Sequence, residues 1–199
     1  MITSLKQLDL TKRYTYGDYL RWQFLDRVEL FRGQIVKMSP APNYRHQRIL
    51  NDLNAHIWNF LRSNKASCKV IPAPFDVRLP LPPEKVTPEK IDTVVQPDIT
   101  VICDLSKLDQ QGCKEAPDLV VEILSPGNSK KEMRDKFELY QNAGVPEYWL
   151  VDPERESVVI YQLGEDQQYF TKQPFTSDDV LKSPLLEGLK IELKEIFAS

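Results

Sequence analysis

The chain has 199 residues, a hydrophobic fraction of 41%, and 26 Lys and Arg against 29 Asp and Glu, for a net charge of −3. That length is enough for one well-buried core and does not demand a second, so residues 1–199 read as a single domain. The acidic balance denies the molecule a general attraction to phosphate backbones, and no apolar run approaches the roughly 18 residues that a membrane span needs.

Thr15 opens a short helix in which Tyr16, Tyr19, Leu20 and Phe24 are spaced for one apolar face. A hairpin follows, with Val28 to Phe31 and Gln34 to Met38 flanking the two-residue turn Arg32-Gly33. After Pro40 and Pro42, the spacing of Ile49, Leu50, Leu53, Ile57 and Phe60 predicts a long helix whose apolar stripe begins one turn earlier, at His46. Val70-Ile71 and Phe75 to Leu79 read as strands, the segment from Pro80 to Pro88 as an exposed loop, and Asp98 to Ile102 as a third strand with its acid at the start.

Leu119 to Leu124 is an apolar strand that carries one acid, Glu122. It leads through Ser125-Pro126-Gly127 to a helix bounded by the capping box Ser129-x-x-Glu132 and by Gly144 with Pro146. Strands at Glu147 to Val151 and Ser157 to Leu163 follow, separated by Asp152-Pro153, and the alternating tail Leu189 to Leu193 predicts an edge strand. Strands interleaved with two long helices and hairpins fit a mixed sheet covered on both faces.

Met1 to Asp9 lacks the basic start and apolar centre of a secretory signal, so the expected location is cytoplasmic. Cys68, Cys103 and Cys113 are odd in number and contain no C-x-x-C pair, so all three are expected to be reduced thiols. Between Asn128 and Lys136, four cations outnumber two acids; Arg45 and Arg48 form a second small basic spot.

A bare carboxylate in a buried strand costs several kcal/mol unless it is paired, neutralised or bound to a cation, so Glu122 implies a site. Asp98, at the start of another strand, can approach it if the two strands are neighbours. A divalent ion between them offsets that cost: two carboxylates, a backbone carbonyl such as that of Ile123, and waters make the all-oxygen surroundings that magnesium or manganese accepts. Nothing offers the Cys and His set that zinc prefers. Glu29 in the first hairpin and His46 at the helix start are further candidates, each balanced against a plain structural role. Ser125 has no Gly-x-Ser-x-Gly setting and reads as a turn or phosphate-contact hydroxyl. Tyr148 and Trp149 read as core strand residues.

Pro97-Asp98, Val121 to Pro126, Lys136-x-x-x-Tyr140, Gly144-Val145-x-Glu147-Tyr148-Trp149 and Val151-Asp152-Pro153, in that order, resemble the bacterial Uma-two family of restriction endonucleases, placed in the PD-(D/E)XK nuclease superfamily. The resemblance runs from about Tyr16 to the C-terminal strand. It implies a restriction-endonuclease-like α/β core, a central mixed sheet flanked by helices with an extra N-terminal hairpin and C-terminal strands. It further implies a magnesium- or manganese-dependent endonuclease acting on DNA, in which Asp98 and Glu122 hold the metal and Lys136 is the catalytic lysine.

One departure stands out. The superfamily pattern puts lysine two residues after the second acid, where this chain has Leu124, and the resemblance assigns the role to Lys136 on the following helix. Glu132, on the same face, is explained by capping and is a weaker candidate for the site. A homodimer is expected from the two-fold symmetry of cutting a duplex. Two rival readings keep the fold but change its use. One is a non-catalytic DNA-binding or interaction module, the other an RNA or nucleotide phosphodiesterase.

Overall fold

The computed structural model describes residues 2–24, 26–38, 43–81, 87–127 and 129–198; most of the loop expected between Pro80 and Pro88 lies outside them, as do Pro40 and Pro42. In chain order the elements are α1 (Tyr16–Tyr19), β1 (Val28–Phe31), β2 (Gln34–Lys37), α2 (Tyr44–Ser63), β3 (Lys69–Pro72), β4 (Val77–Arg78), β5 (Val94–Val95), β6 (Ile99–Ile102), β7 (Leu108–Asp109), β8 (Gly112–Cys113) and β9 (Leu119–Ile123). Then come α3 (Lys130–Ala143), β10 (Glu147–Asp152), β11 (Ser157–Leu163), β12 (Tyr169–Thr171), β13 (Phe175–Thr176), β14 (Val180–Lys182), β15 (Lys190–Glu192) and α4 (Leu193–Phe197).

Seven strands form the central mixed sheet, in the order β12-β11-β10-β9-β6-β3 with β13 beside β11. Its parallel pair, β9 and β10, is joined by α3, because parallel neighbours require a crossover long enough to return the chain to the same end. A second sheet, β2-β1-β5-β4-β8-β7, carries the first hairpin. In that hairpin both turn residues have positive φ, Arg32 at 50° and Gly33 at 81°, matching the right-handed twist of the flanking strands.

Alternation along β9 divides the interior in two. Leu119, Val121 and Ile123 face a core built with Ile49, Leu53 and Ile57 of α2 and with the C-terminal segment. Val120 faces a second core containing Leu139 and Tyr140 of α3 and Val77 and Val95 of the second sheet. Glu122 shares the parity of Val120 and therefore points toward α3.

Helix ends follow local chemistry. Asn43 caps α2 by accepting from the His46 amide, and the reciprocal Ser129–Glu132 box starts α3. Gly144, at φ 79°, ends α3 in the left-handed conformation that favours glycine.

Two expectations are corrected. The tail does not join the central sheet: β15 pairs with β14 in a separate hairpin and runs directly into α4, whose Leu193, Ile196 and Phe197 are buried against the α2 core. Cys68 and Cys103 form a disulfide instead of remaining thiols. Lys69 lies opposite Ile102 in the β3–β6 ladder, so one further step brings these two cysteines face to face, although 35 residues separate them. Cys113 is a buried free thiol. No helix among the described residues is long and apolar enough to cross a membrane.

Candidate functional site

The site forms where β6 and β9 leave the central sheet. Ile99 lies opposite Val121, and the next step of this antiparallel register sets Asp98 opposite Glu122. Asp98 Oδ2 accepts a 2.7 Å hydrogen bond from the Ile123 amide, locking the two segments together.

Each face of the sheet contributes through one helix. From α2, the buried His46 brings Nε2 to 3.0 Å from the Ile123 carbonyl and 3.3 Å from Asp98 Oδ2. A carbonyl only accepts, so Nε2 carries the proton. Nδ1 is buried and has no hydrogen-bond partner among the described residues. From α3, Lys136 Nζ donates to Glu122 Oε1 at 2.7 Å, and the Tyr140 hydroxyl donates to the same oxygen at 2.6 Å. One helical turn separates Lys136 from Tyr140, which is why both reach one carboxylate.

The first hairpin supplies the third acid. Glu29 Oε1 accepts from the Gln96 amide at 2.8 Å and lies 3.8 Å from Lys136 Nζ. Glu29 is only 7% exposed, so the solvent-facing alternative for this residue does not hold. Its burial comes from packing of the second sheet against α3, which the hairpin's own alternation does not announce.

The electrostatics are those of crowded negative charge. Burial raises Glu122 to about 7, and the charges of Asp98 and Glu29 add to the rise while Lys136 opposes it. Burial works against the Lys136 charge, but Glu122, Glu29 and Asp98 outweigh it and hold its pKa above the ordinary lysine value. The two partners of this ion pair are thus affected unequally: the ammonium is secured, while the carboxylate still resists ionisation. Burial also lowers the affinity of His46 for a proton, yet the Asp98 hydrogen bond and charge, with the Ile123 carbonyl, leave its pKa raised. Tyr140 stays a phenol because burial and the Glu122 charge push its pKa far up.

The remaining sequence candidates fall as follows. Glu132 is exposed and closes the α3 capping box, accepting from the Ser129 amide at 2.7 Å. Ser125 is half-buried between β9 and α3. Tyr148 and Trp149 are buried in the core. Arg45 is paired with Glu156, and Arg48 with Asp52 and the Ile196 carbonyl, whereas Lys130, Lys131 and Arg134 are exposed at the start of α3. Sequence reasoning gave no role to Gln96; its distance in sequence from Glu29 hides the contact.

The donors suit a hard cation. No hydrogen bond between described residues uses Asp98 Oδ1 or Glu122 Oε2, and neither atom is among the buried unpartnered ones. These oxygens and the second lone pair of the Ile123 carbonyl make a small all-oxygen set that leaves the other positions to water and substrate, the habit of magnesium. Among the described residues no group of three or more His, Cys, Asp or Glu is arranged to hold a metal ion.

The Uma2 family, described as "Putative restriction endonuclease", matches residues 16–194. No curated protein matches the chain. Among solved structures, "a putative nuclease belonging to DUF820" from Anabaena variabilis superposes with a TM-score of 0.70 at 20% identity, covering 92% of this chain and 97% of that one. The shared fold extends over nearly both chains, and with the family match spanning residues 16–194 this chain belongs to the Uma2 family.

Proposed function

We propose that the chain is one metal-dependent nuclease domain that hydrolyses phosphodiester bonds in DNA. Asp98, Glu122 and the Ile123 carbonyl would hold magnesium or manganese. Bound there, the cation supplies Lewis-acid polarisation of a phosphoryl oxygen and lowers the pKa of water. The observation that carries the reading is the convergence of Asp98, Glu122 and Lys136 from three separate elements, with the ammonium 2.7 Å from a carboxylate of raised pKa.

The chain's own groups divide the work. Lys136 donates a charged hydrogen bond to the phosphoryl oxygen as negative charge builds in the transition state. Tyr140 and Glu29 position that ammonium, one by sharing Glu122 with it and the other by charge. His46 ties Asp98 to the end of β9 and keeps its carboxylate aimed into the site. Lys130, Lys131 and Arg134, exposed near the start of α3, add positive charge that attracts the backbone of the strand. A two-fold pair of chains would serve both strands of a duplex.

Supercoiled plasmid incubated with the purified protein in magnesium, manganese or EDTA tests the activity. Nicking or linearisation is expected only with metal, and the folded Lys136→Met variant should be slower by about two to three orders of magnitude. Cleavage that ignores that substitution would come from another enzyme. Metal-dependent degradation of RNA with plasmid left intact would reassign the substrate, and no cleavage of either would leave a binding module.

A further inference from the structure

A second concavity lies beside the carboxylate cluster and takes no part in the hydrolytic chemistry. It is an open hollow of about 410 Å³, and its lining includes Tyr19, Phe75, Asp76, Gln96, Gln110 and Gln111. Three contacts join it to Lys136. Asp76 Oδ1 accepts from Gln96 Nε2 at 2.8 Å, the Gln96 amide donates to Glu29 Oε1 at 2.8 Å, and Glu29 Oε1 lies 3.8 Å from Lys136 Nζ. Gln96 also stands two residues before Asp98, so one stretch of chain walls both the concavity and the cluster.

The lining discriminates among the parts of a nucleotide. Phosphate is disfavoured: two acids, Asp76 and Asp109, border the space, and the nearby Arg78 is already bonded to Asp109 at 2.6 Å. A flat, partly apolar base is favoured, because the half-buried side chains of Tyr19 and Phe75 give the lining apolar surface beside its polar groups.

Gln96 is held at both ends of its side-chain amide, donating from Nε2 to Asp76 and accepting at Oε1 from Arg27 Nη2 at 2.9 Å, and so holds Asp76 in place. The Tyr19 hydroxyl lies 3.5 Å from the same Asp76 oxygen. No hydrogen bond between described residues uses Asp76 Oδ2. Burial raises the Asp76 pKa despite the Gln96 and Tyr19 contacts, as expected of a carboxylate short of donors.

Resting on the nuclease reading, we propose that this concavity receives a nucleobase of the substrate strand beside the scissile phosphate, and that Asp76 selects a base with an exocyclic amino group over thymine. The amino groups of cytosine, adenine and guanine donate to a carboxylate. Thymine sets carbonyl oxygens on both sides of its single ring N–H, and an oxygen brought against Asp76 Oδ2 repels it. Gln110 and Gln111, exposed at the rim, are free to reach the remaining edge of the base.

Equilibrium binding of short fluorescent homopolymers of cytosine, adenine and thymine, in EDTA and at one salt concentration, reads the selection without cleavage. Thymine should bind most weakly, by a factor of about 5 to 150, the range for one good base contact. Asp76→Asn should bring the three to near parity. Gln96→Ala should do the same by releasing Asp76, while leaving the Gln96 amide on Glu29.

Thymine binding as tightly as the others in the unmodified protein would overturn the proposal, with no variant required. Discrimination unchanged in a folded Asp76→Asn protein would do so as well. Plasmid cleavage measured in parallel keeps the two readings apart. Discrimination without metal-dependent cleavage overturns the nuclease and retains the base site, and cleavage without discrimination does the reverse.

Discussion

Lys136 is the positive charge that the acids of this site share, with Nζ 2.7 Å from Glu122 and 3.8 Å from Glu29. Its removal leaves Glu29, Asp98 and Glu122 to repel one another. Lys136→Met should therefore destabilise the metal-free protein by roughly 2–3 kcal/mol, somewhat below the usual cost of breaking a buried pair because a quarter of the lysine side chain remains exposed. A divalent cation would replace the missing charge, so magnesium or manganese should raise the melting temperature of this variant more than that of the unmodified protein. Asp98→Asn combined with Glu122→Gln should abolish the rise. Differential scanning calorimetry in EDTA and in each metal measures all three proteins, and an equal rise in the double variant would remove these acids from the metal site. Lys136→Arg should restore stability better than cleavage, since a planar guanidinium does not occupy the point-charge position of an ammonium. The burial of Glu122 was legible in sequence because an acid among valines is conspicuous, whereas Lys136 was singled out only through the family resemblance. The burial of Glu29 was not legible, since it sits between the apolar Val28 and Leu30, a pattern that ordinarily sends the middle residue to solvent.

At the scale of elements, β10 shows how a strand acquires an anchor. Glu147 is 1% exposed, yet its carboxylate accepts from Trp149 Nε1 at 2.6 Å, the Ser183 hydroxyl at 2.7 Å and the Leu185 amide at 2.8 Å. It pins the segment leading into the β14–β15 hairpin onto the central sheet, and so helps to seat α4 against α2. Burial raises its pKa against those three bonds, so the anchor holds a charge at some cost. Glu147→Ala strands the Trp149 and Leu185 donors and should cost about 2–4 kcal/mol in urea unfolding. The folded fraction should keep its metal-induced thermal shift, because Glu147 is far in sequence and function from Asp98. A loss below about 1 kcal/mol would mean that water serves these donors equally well. The ends of α3 were readable from Ser129, Glu132 and Gly144, whose partners lie within one turn. The Glu147 anchor was not, because two of its partners lie 36 and 38 residues away.

For the whole molecule, the disulfide closes the segment that runs from the exit of α2 through β3, β4 and β5 to the end of β6. Constraining a span of 35 residues in the unfolded chain is worth about 2–4 kcal/mol. Cys68→Ser with Cys103→Ser should lower the denaturation midpoint accordingly. Reductant should lower the unmodified protein to the same value and leave the double variant unchanged. A midpoint indifferent to reductant would show that the two thiols are not joined in solution.

What the sequence determined by itself was local: the hairpin turn at Arg32-Gly33, the stripe of α2, both ends of α3, and an acid that needs a partner in β9. Each depends on residues within a few positions of one another, where periodicity and capping act. What only the tertiary structure decided was which distant segments meet. It placed Glu29 beside Lys136, aimed His46 at Asp98 and Ile123, and joined Cys68 to Cys103. It also gave the two-residue strands β5, β7 and β8 neighbours to pair with, and turned the tail away from the central sheet into its own hairpin and helix. Those outcomes depend on sheet register and on which face of each strand is covered, and neither is encoded in any short window of sequence.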